Sequence, residues 1–208
     1  MNGLIYTIGH STHPIERFIA LLEIHGITAL CDVRSNPYSR MHSQFNREAL
    51  GKTLKSHSIS YVFLGQELGA RPDNSNYYLQ GRVNYEFLAQ SELFQRGLDR
   101  IGRGMESYRI ALMCAEKDPI MCHRTILVSR RLRDRGVEVK HILGDGTVET
   151  HDVVMNRLLK KLGFPKSDMF RSNKDLLNDV YKIQGEKLAY SITTEHTPRT
   201  AHVTDNYQ

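Results

Sequence analysis

The sequence predicts an α/β protein with a single domain, in which a mainly parallel β-sheet is flanked by helices in a Rossmann-like three-layer arrangement. Two observations predict this class. Strand-like and helix-like segments alternate along the 208 residues, and the strand-like segments are continuous apolar runs. Both features are typical of a parallel sheet that is covered on both faces.

The individual elements are justified by their apolar spacing and by the residues that end them. The first strand, residues 4–8, is followed by a turn and by a helix that Gly26 ends. The other predicted strands are apolar segments at residues 27–33, 59–64, 109–114 and 137–143. The other predicted helices lie at residues 46–56, 121–135 and 151–162. A further helical region follows the connection at residues 65–84 and ends near residue 103.

The chain becomes more polar after Gly163. We therefore expect an α/β domain at residues 1–163 and a C-terminal helical extension at residues 164–208. A helix is predicted over residues 175–188, and the polar tail from Thr193 is expected to be disordered.

Composition limits the classes of protein that this chain fits. The net charge of +5, from 28 basic and 23 acidic residues, favours anionic partners only weakly. Three cysteines do not make a disulfide framework. No apolar run is long enough for a membrane span, and the N-terminal residues do not read as a signal peptide. We expect a cytoplasmic protein without a membrane partner.

The predicted topology places the unusual residues of the chain together. In open parallel sheets, ligands bind beyond the carboxyl ends of the strands. The segments that follow those ends are residues 9–13, 32–44, 65–84 and 114–124. We expect these four segments to meet and to form one positively charged site.

The last of these segments carries the most reactive side chains. Cys114 ends a predicted strand, and Cys122, His123 and Arg124 stand near the start of the next helix. The helix dipole and the unpaired amides lower a thiol pKa at such a position and attract anions. Cys114 and Cys122 are therefore candidate nucleophiles, and His123 and Arg124 are candidate substrate-binding residues. That the cysteines are ordinary core residues stays open as an alternative.

Residues 32–44 suit a nucleotide or nucleic-acid ligand. Asp32 ends a predicted strand, where a carboxylate acts as a base or orients an arginine. Arg34 and Arg40 add positive charge, and Tyr38 adds an aromatic face. The alternative is a surface loop in which Asp32 pairs with Arg34.

The other candidates come from the remaining strand ends. Asp32 or Glu116 is expected to act as the acid–base group with assistance from His10, and Ser11 and Arg71 are expected to bind the substrate. Arg71 lies in the connection at residues 65–84, which is longer than is usual inside a compact domain.

Metal, redox and phosphatase-like chemistry are each disfavoured by spacing. His10, His13, Cys114, Cys122 and His123 are of zinc-binding types, but the sequence contains no close C-x-x-C or H-x-x-x-H pair. The missing C-x-x-C also leaves a redox pair of Cys114 and Cys122 unsupported. Neither cysteine stands six positions before an arginine, as phosphatase and rhodanese loops require. We expect no metal and no cofactor.

These segments together resemble the family described as domain of unknown function 488. The resemblance rests on YTIGHST at residues 6–12, DVRSNPYSR at residues 32–40 and Phe45. It continues through ISYVFLGQELGARP at residues 59–72, CAEKDPIMCHR at residues 114–124 and GVEVKHI at residues 136–142. Where the family often has two glycines before the arginine, this chain has Gly69 and Ala70. The resemblance implies an α/β fold and a cytosolic protein of prokaryotic type, and it supplies no reaction.

The preferred hypothesis is an enzyme that acts on a phosphate-bearing substrate, either a nucleotide or a nucleic acid. In its covalent version, Cys122 or Cys114 attacks the substrate. The first alternative is a nucleic-acid-binding module without chemistry, based on the basic loops and on the arginines of residues 130–135, although such a charge run is more typical of a solvated surface. The second alternative is a regulatory protein that binds a partner through its tail.

Overall fold

The computed structural model describes residues 3–165 and 171–192, which form a three-layer α/β fold. The strands are β1 (Gly3–Gly9), β2 (Ala29–Asp32), β3 (Ser60–Phe63), β4 (Tyr78–Leu79), β5 (Arg82–Val83), β6 (Ile110–Cys114), β7 (Val137–Ile142) and β8 (Val148–Thr150). The helices are α1 (Ile15–Ile24), α2 (Arg47–Ser56), α3 (Gly65–Leu68), α4 (Tyr85–Gln90), α5 (Glu92–Gly104), α6 (Arg130–Asp134), α7 (His151–Lys161) and α8 (Asn173–Leu188). A π-helical segment, Arg124–Ser129, runs directly into α6.

The main sheet has the strand order β3-β2-β6-β1-β7-β8. All neighbouring strands are parallel except β8, which is antiparallel to β7. Because β6 lies between β2 and β1, Gly9 pairs with Cys114 and Asp32 pairs with Met113. Three strands therefore end side by side, and the loops that follow them meet at one edge of the sheet.

Apolar side chains cover both faces of the sheet, as the sequence predicts. In β6, Leu112 packs on one face together with α5 and α6, and Met113 packs on the other face together with α1 and α2. Each large apolar side chain that is fully buried in this way contributes about 1.5–3 kcal/mol. Within the described residues, no helix is both long and apolar enough to cross a membrane.

The C-terminal extension packs on the α/β domain. Leu176, Val180 and Tyr181 of α8 lie in an apolar cluster with residues of α7, and Ile120 belongs to the same cluster. The expected tail at residues 193–208 lies outside the described residues. Sequence reasoning did not predict β8, because its three residues contain only one apolar side chain.

A buried chain of hydrogen bonds links the sheet to α8. Thr7 Oγ1 lies 2.8 Å from His141 Nδ1, and His141 Nε2 lies 3.1 Å from His151 Nδ1. His151 Nε2 in turn lies 2.6 Å from the Tyr181 hydroxyl. Burial lowers the pKa of His151 to about 4, and burial also holds the pKa of His141 well below its usual value. Both imidazoles are therefore neutral near pH 7.

Candidate active site

The loops that follow β1 and β6 run directly against each other. The backbone N–H of His10 donates to the Cys114 carbonyl at 2.9 Å. A Cβ atom at Gly9 would lie 1.9 Å from the Glu116 carbonyl oxygen, so this close approach requires glycine. The contact fixes the position of residues 114–118 relative to the end of the sheet.

A buried ion pair lies at the end of β2. Asp32 accepts hydrogen bonds from the backbone N–H, Nε and Nη2 of Arg34 at distances between 2.6 and 3.2 Å. The Tyr61 hydroxyl donates to the same carboxylate at 2.8 Å. Asp32 is fully buried. Its oxygens are occupied by these donors, so Asp32 orients Arg34 and is not a free base.

Two further acceptors hold the guanidinium of Arg34. Its Nη2 donates to the Phe45 carbonyl at 2.8 Å, and its Nη1 lies 3.3 Å from His10 Nε2. His10 Nδ1–H donates to the Ser11 carbonyl at 2.9 Å, which leaves Nε2 with the lone pair that accepts from Arg34. Burial lowers the pKa of His10 to about 4, so the ring is neutral near pH 7.

These contacts leave Arg34 charged and incompletely paired. Burial alone would lower the pKa of Arg34, but the hydrogen bonds and the charge of Asp32 outweigh burial and raise that pKa. A guanidinium has five N–H donors. One N–H of Nη1 has no partner among residues 3–165 and 171–192. Arg34 can therefore offer a donor to a ligand.

The two cysteines of the site come from neighbouring elements. Cys114 ends β6, and Cys122 stands two positions before the helix that begins at Arg124 and continues through α6. The Cys122 carbonyl accepts hydrogen bonds from the N–H groups of Thr125 and Ile126 at 3.1 and 3.2 Å, so Cys122 lies directly at the start of this helix. The first turns of this helix are π-helical, a form that often marks functional sites.

His123 lies beside both sulfurs. Its Nε2 lies 3.0 Å from the Val33 carbonyl oxygen. A carbonyl oxygen only accepts, so Nε2 carries the proton and Nδ1 has the lone pair in the neutral ring. Nδ1 lies 3.6 Å from Cys114 Sγ and 3.9 Å from Cys122 Sγ. His123 can therefore take a proton from either thiol.

The two thiols differ in acidity. Burial raises the pKa of Cys122, but the hydrogen bond from Cys114 and the positive charge of Arg124 outweigh burial and hold it well below its usual value. The hydrogen bond to Cys122, together with burial, raises the pKa of Cys114 well above its usual value. Cys122, at the start of the helix, is the thiol of the pair that loses its proton more readily.

A cavity of about 550 Å³ opens over these groups. Arg71 reaches it from the connection after α3, and its guanidinium stacks on the Tyr190 ring at 4.7 Å. The Tyr85 hydroxyl is buried and has no partner in the described parts of the chain. Burial and the nearby thiol groups raise the pKa of Tyr85, so it remains a donor. The predicted site residues that line the cavity are Arg34, Tyr38, Arg71, Cys114, Glu116, Cys122 and His123.

The remaining predicted residues lie outside the cavity lining. Arg124 is fully buried and donates to the carbonyls of Glu116 and Lys117 at 2.6 and 3.4 Å, so it braces the loop after β6. His10 and Asp32 lie behind Arg34 and support it. Arg40 is exposed, and Ser11 is half-buried.

Two tyrosines of the cavity were missed by sequence reasoning. Tyr85 begins α4, where Asn84 caps the helix, and that cap was a usable signal. Tyr190 follows α8 and belongs to the region assigned to the C-terminal extension. No sequence signal places Tyr190 near the strand ends, because its position depends on how α8 packs.

The arginines of the 124–134 helix and its end are already paired. Arg130 and Arg131 both contact Glu86, Arg133 contacts Asp152, and Arg135 contacts Asp99. Arg130 and Arg131 line a second cavity of about 690 Å³, which contains no cysteine or histidine. These pairs do not favour a free phosphate-binding stripe on this helix.

Comparison with protein-family models gives one match for the chain. The model described as "Domain of unknown function DUF488" matches residues 14–131, which is more than half of the chain. The chain belongs to this family. The match to DUF488 includes both cysteines, His123, Arg34 and Arg71. Neither the search of curated proteins nor the search of solved structures found a match.

Proposed function

We propose that this DUF488 protein is an enzyme that acts on a phosphate-bearing substrate, a nucleotide or a nucleic acid, in the cavity at the strand ends. Cys114, Cys122 and His123 form the reactive group, and Arg34 and Arg71 bind the anion. The observation that carries this proposal is the position of His123 Nδ1, which lies within 4 Å of both sulfurs on the wall of an open cavity.

The charge of the cavity supports an anionic substrate. Arg34 brings an unpaired N–H, Arg71 brings a guanidinium that is exposed, and Tyr85 brings an unpaired hydroxyl. Arginine suits phosphate because its planar group donates two parallel hydrogen bonds. Glu116 is the acidic side chain of the lining and is exposed, so it is a candidate proton donor or acceptor.

The two alternatives have less support. A nucleic-acid-binding module without chemistry was based on the basic loops and on the arginine-rich helix, and Arg130, Arg131 and Arg133 of that helix are paired with carboxylates. It also gives no role to the cysteine–histidine group. A regulatory protein that binds through its tail depends on residues outside the described part of the chain.

The test is turnover of a panel of phosphate compounds, which includes 4-nitrophenyl phosphate, nucleoside mono-, di- and triphosphates, and short DNA and RNA oligonucleotides. We expect Cys122→Ser or Cys114→Ser to lower kcat at least 100-fold on the accepted compound. Arg71→Ala should raise KM about tenfold with a smaller effect on kcat, because it removes one charge-assisted contact.

Matched controls are Cys31→Ala, a buried cysteine away from the cavity, and Arg96→Ala, an exposed arginine on the outer face of α5. Both should leave kcat and KM close to those of the unaltered protein. Oligonucleotide binding that weakens steeply with salt, with no product formed from any compound, would favour the non-catalytic module instead.

A further inference from the structure

Three potential ligand atoms converge on one point of the cavity wall. Cys114 Sγ, Cys122 Sγ and His123 Nδ1 all lie within 4.8 Å of one another. No other cluster of three or more histidine, cysteine or acidic residues in the described chain comes together in this way. Two thiols and one imidazole nitrogen are a set that zinc accepts.

The distances match those that a zinc ion imposes. Tetrahedral zinc, with Zn–S near 2.3 Å and Zn–N near 2.0 Å, holds its sulfur and nitrogen ligands about 3.6 Å apart. The two S···Nδ1 distances are 3.6 Å for Cys114 and 3.9 Å for Cys122. Both sulfurs therefore lie close to the distance from Nδ1 that one shared ion requires, and the two sulfurs lie within 4.8 Å of each other.

The orientation of His123 is also that of a metal ligand. A histidine that binds a metal through one ring nitrogen almost always donates its other N–H to a carbonyl or a carboxylate. Nε2–H of His123 donates to the Val33 carbonyl at 3.0 Å, so the lone pair of Nδ1 is directed to the sulfurs. This hydrogen bond also joins the 124–134 helix to the end of β2, and so keeps the histidine in place.

A fourth position is open. The three side chains all line the cavity of about 550 Å³. Structural zinc sites have four protein ligands, whereas catalytic sites have three and leave one position for water or substrate. Arg34, Arg71 and Tyr85 line the same cavity, so a ligand in that open position would lie among them.

We propose that Cys114, Cys122 and His123 bind one zinc ion with an open coordination position that faces the cavity. This inference deepens the proposed function, because metal-assisted chemistry takes the place of a covalent thiolate intermediate. The catalytic role of the metal rests on the proposed function. On binding, each protonated thiol that becomes a ligand releases its proton to solvent, so metal uptake liberates protons. This proposal replaces the expectation, drawn from the spacing of cysteines and histidines in the sequence, that the protein binds no metal.

The test is titration of the reduced, metal-free full chain with Co²⁺ and then Zn²⁺. We expect uptake of one equivalent of Co²⁺ and a thiolate-to-cobalt charge-transfer absorption, with visible bands typical of four-coordinate cobalt. Zn²⁺ should abolish both signals at one equivalent. Cys114→Ser, Cys122→Ser and His123→Gln should each weaken Co²⁺ binding at least 100-fold, whereas Cys31→Ser should bind as the unaltered protein does.

Folding of each variant is checked by circular dichroism, and the titration of the unaltered protein decides the main point by itself. Absence of the charge-transfer band in that protein would overturn the proposal. So would rapid disulfide formation between Cys114 and Cys122 without metal uptake, which would indicate a redox pair.

The two proposals fail separately. Protein that takes up no Co²⁺ and turns over its substrate at the full rate contradicts the zinc site and leaves the enzyme proposal intact. Stoichiometric Co²⁺ binding with no turnover of any phosphate compound contradicts the proposed function and leaves the zinc site intact.

Discussion

At the residue scale, the environment of Arg34 organises the site. Its guanidinium is held by Asp32, Phe45 and His10, and Tyr61 completes the partners of Asp32. Sequence reasoning offered both a catalytic base and an Asp32–Arg34 pair for this segment. It could not choose between them, because the deciding contacts come from residues far along the chain.

The buried ion pair predicts a large effect for Asp32→Asn. This change leaves the charge of Arg34 buried without a counterion, and the loss of one partner of a buried pair costs about 3–5 kcal/mol. Unfolding in guanidinium chloride measures the difference. Tyr61→Phe is the matched control, because it removes one hydrogen bond to the same carboxylate and should cost about 1 kcal/mol. Equal losses for the two variants would contradict the role given to the charge.

Arg124 shows a second limit at this scale. Its place at the start of a helix indicated an anion-binding residue. The structure instead places its side chain beneath the loop after β6, where it binds two backbone carbonyls. The sequence around an arginine at a helix start is the same whether the side chain binds an anion or is buried against backbone carbonyls. Only the structure distinguishes the two cases.

At the element scale, the parallel strands were predictable because they are continuous apolar runs, and most helices were predictable because their apolar residues recur at helical spacing. The short strands and the short helix α3 were not predictable from the sequence. The connection at residues 65–84 contains α3 and the β4–β5 hairpin, whose strands have two residues each. β8 depends on pairing with β7. The end of α8 reaches the cavity through Leu188, and Tyr190 follows it there. These features are decided by tertiary contacts rather than by local pattern.

The close approach of the β1 and β6 loops predicts the effect of Gly9→Ala. The added methyl group would lie 1.9 Å from the Glu116 carbonyl, so the loop must move, and we expect a loss of about 3 kcal/mol. Displacement of the loop should also expose Cys114, which faster reaction with a thiol reagent would report.

Gly51→Ala is the control for this prediction. Gly51 lies inside α2, where an added Cβ would meet only Tyr61 ring atoms at 3.9 Å. Because alanine favours a helix over glycine, this change should stabilise the protein by about 0.5–1 kcal/mol. A Gly9→Ala variant with unaltered stability and thiol reactivity would show that the loops are not held together at this point.

At the scale of the whole molecule, the stability of the fold depends on keeping buried histidines neutral. His10 and His151 have pKa values lowered by burial from 6.5 to about 4. Between these values the unfolded chain takes up protons that the folded chain does not. The contribution of these histidines to the free energy of unfolding is therefore fully present above pH 6.5 and is lost as the pH falls toward 4.

Unfolding free energies measured between pH 7 and pH 4 test this dependence. The contribution of His151 alone should reach about 3 kcal/mol at the acid end. In the double variant His151→Phe with Tyr181→Phe, the number of protons taken up on unfolding should fall by about one, so the unfolding free energy should change less steeply with pH. Tyr181→Phe alone retains the histidine and should keep the slope. An unchanged slope in the double variant would contradict the buried, neutral state of His151.

One wall of the cavity comes from a part of the chain that lies far from the strands in sequence. The strands and the cysteine–histidine group lie within residues 3–150, but Leu188, the last residue of α8, and Tyr190, which follows α8, complete the cavity wall. A chain that stops at residue 165 would lack this wall and leave the reactive side chains in an open cleft. Closure of the pocket therefore depends on the docking of α8, and the stacking of Tyr190 on Arg71 is the contact that joins the two parts.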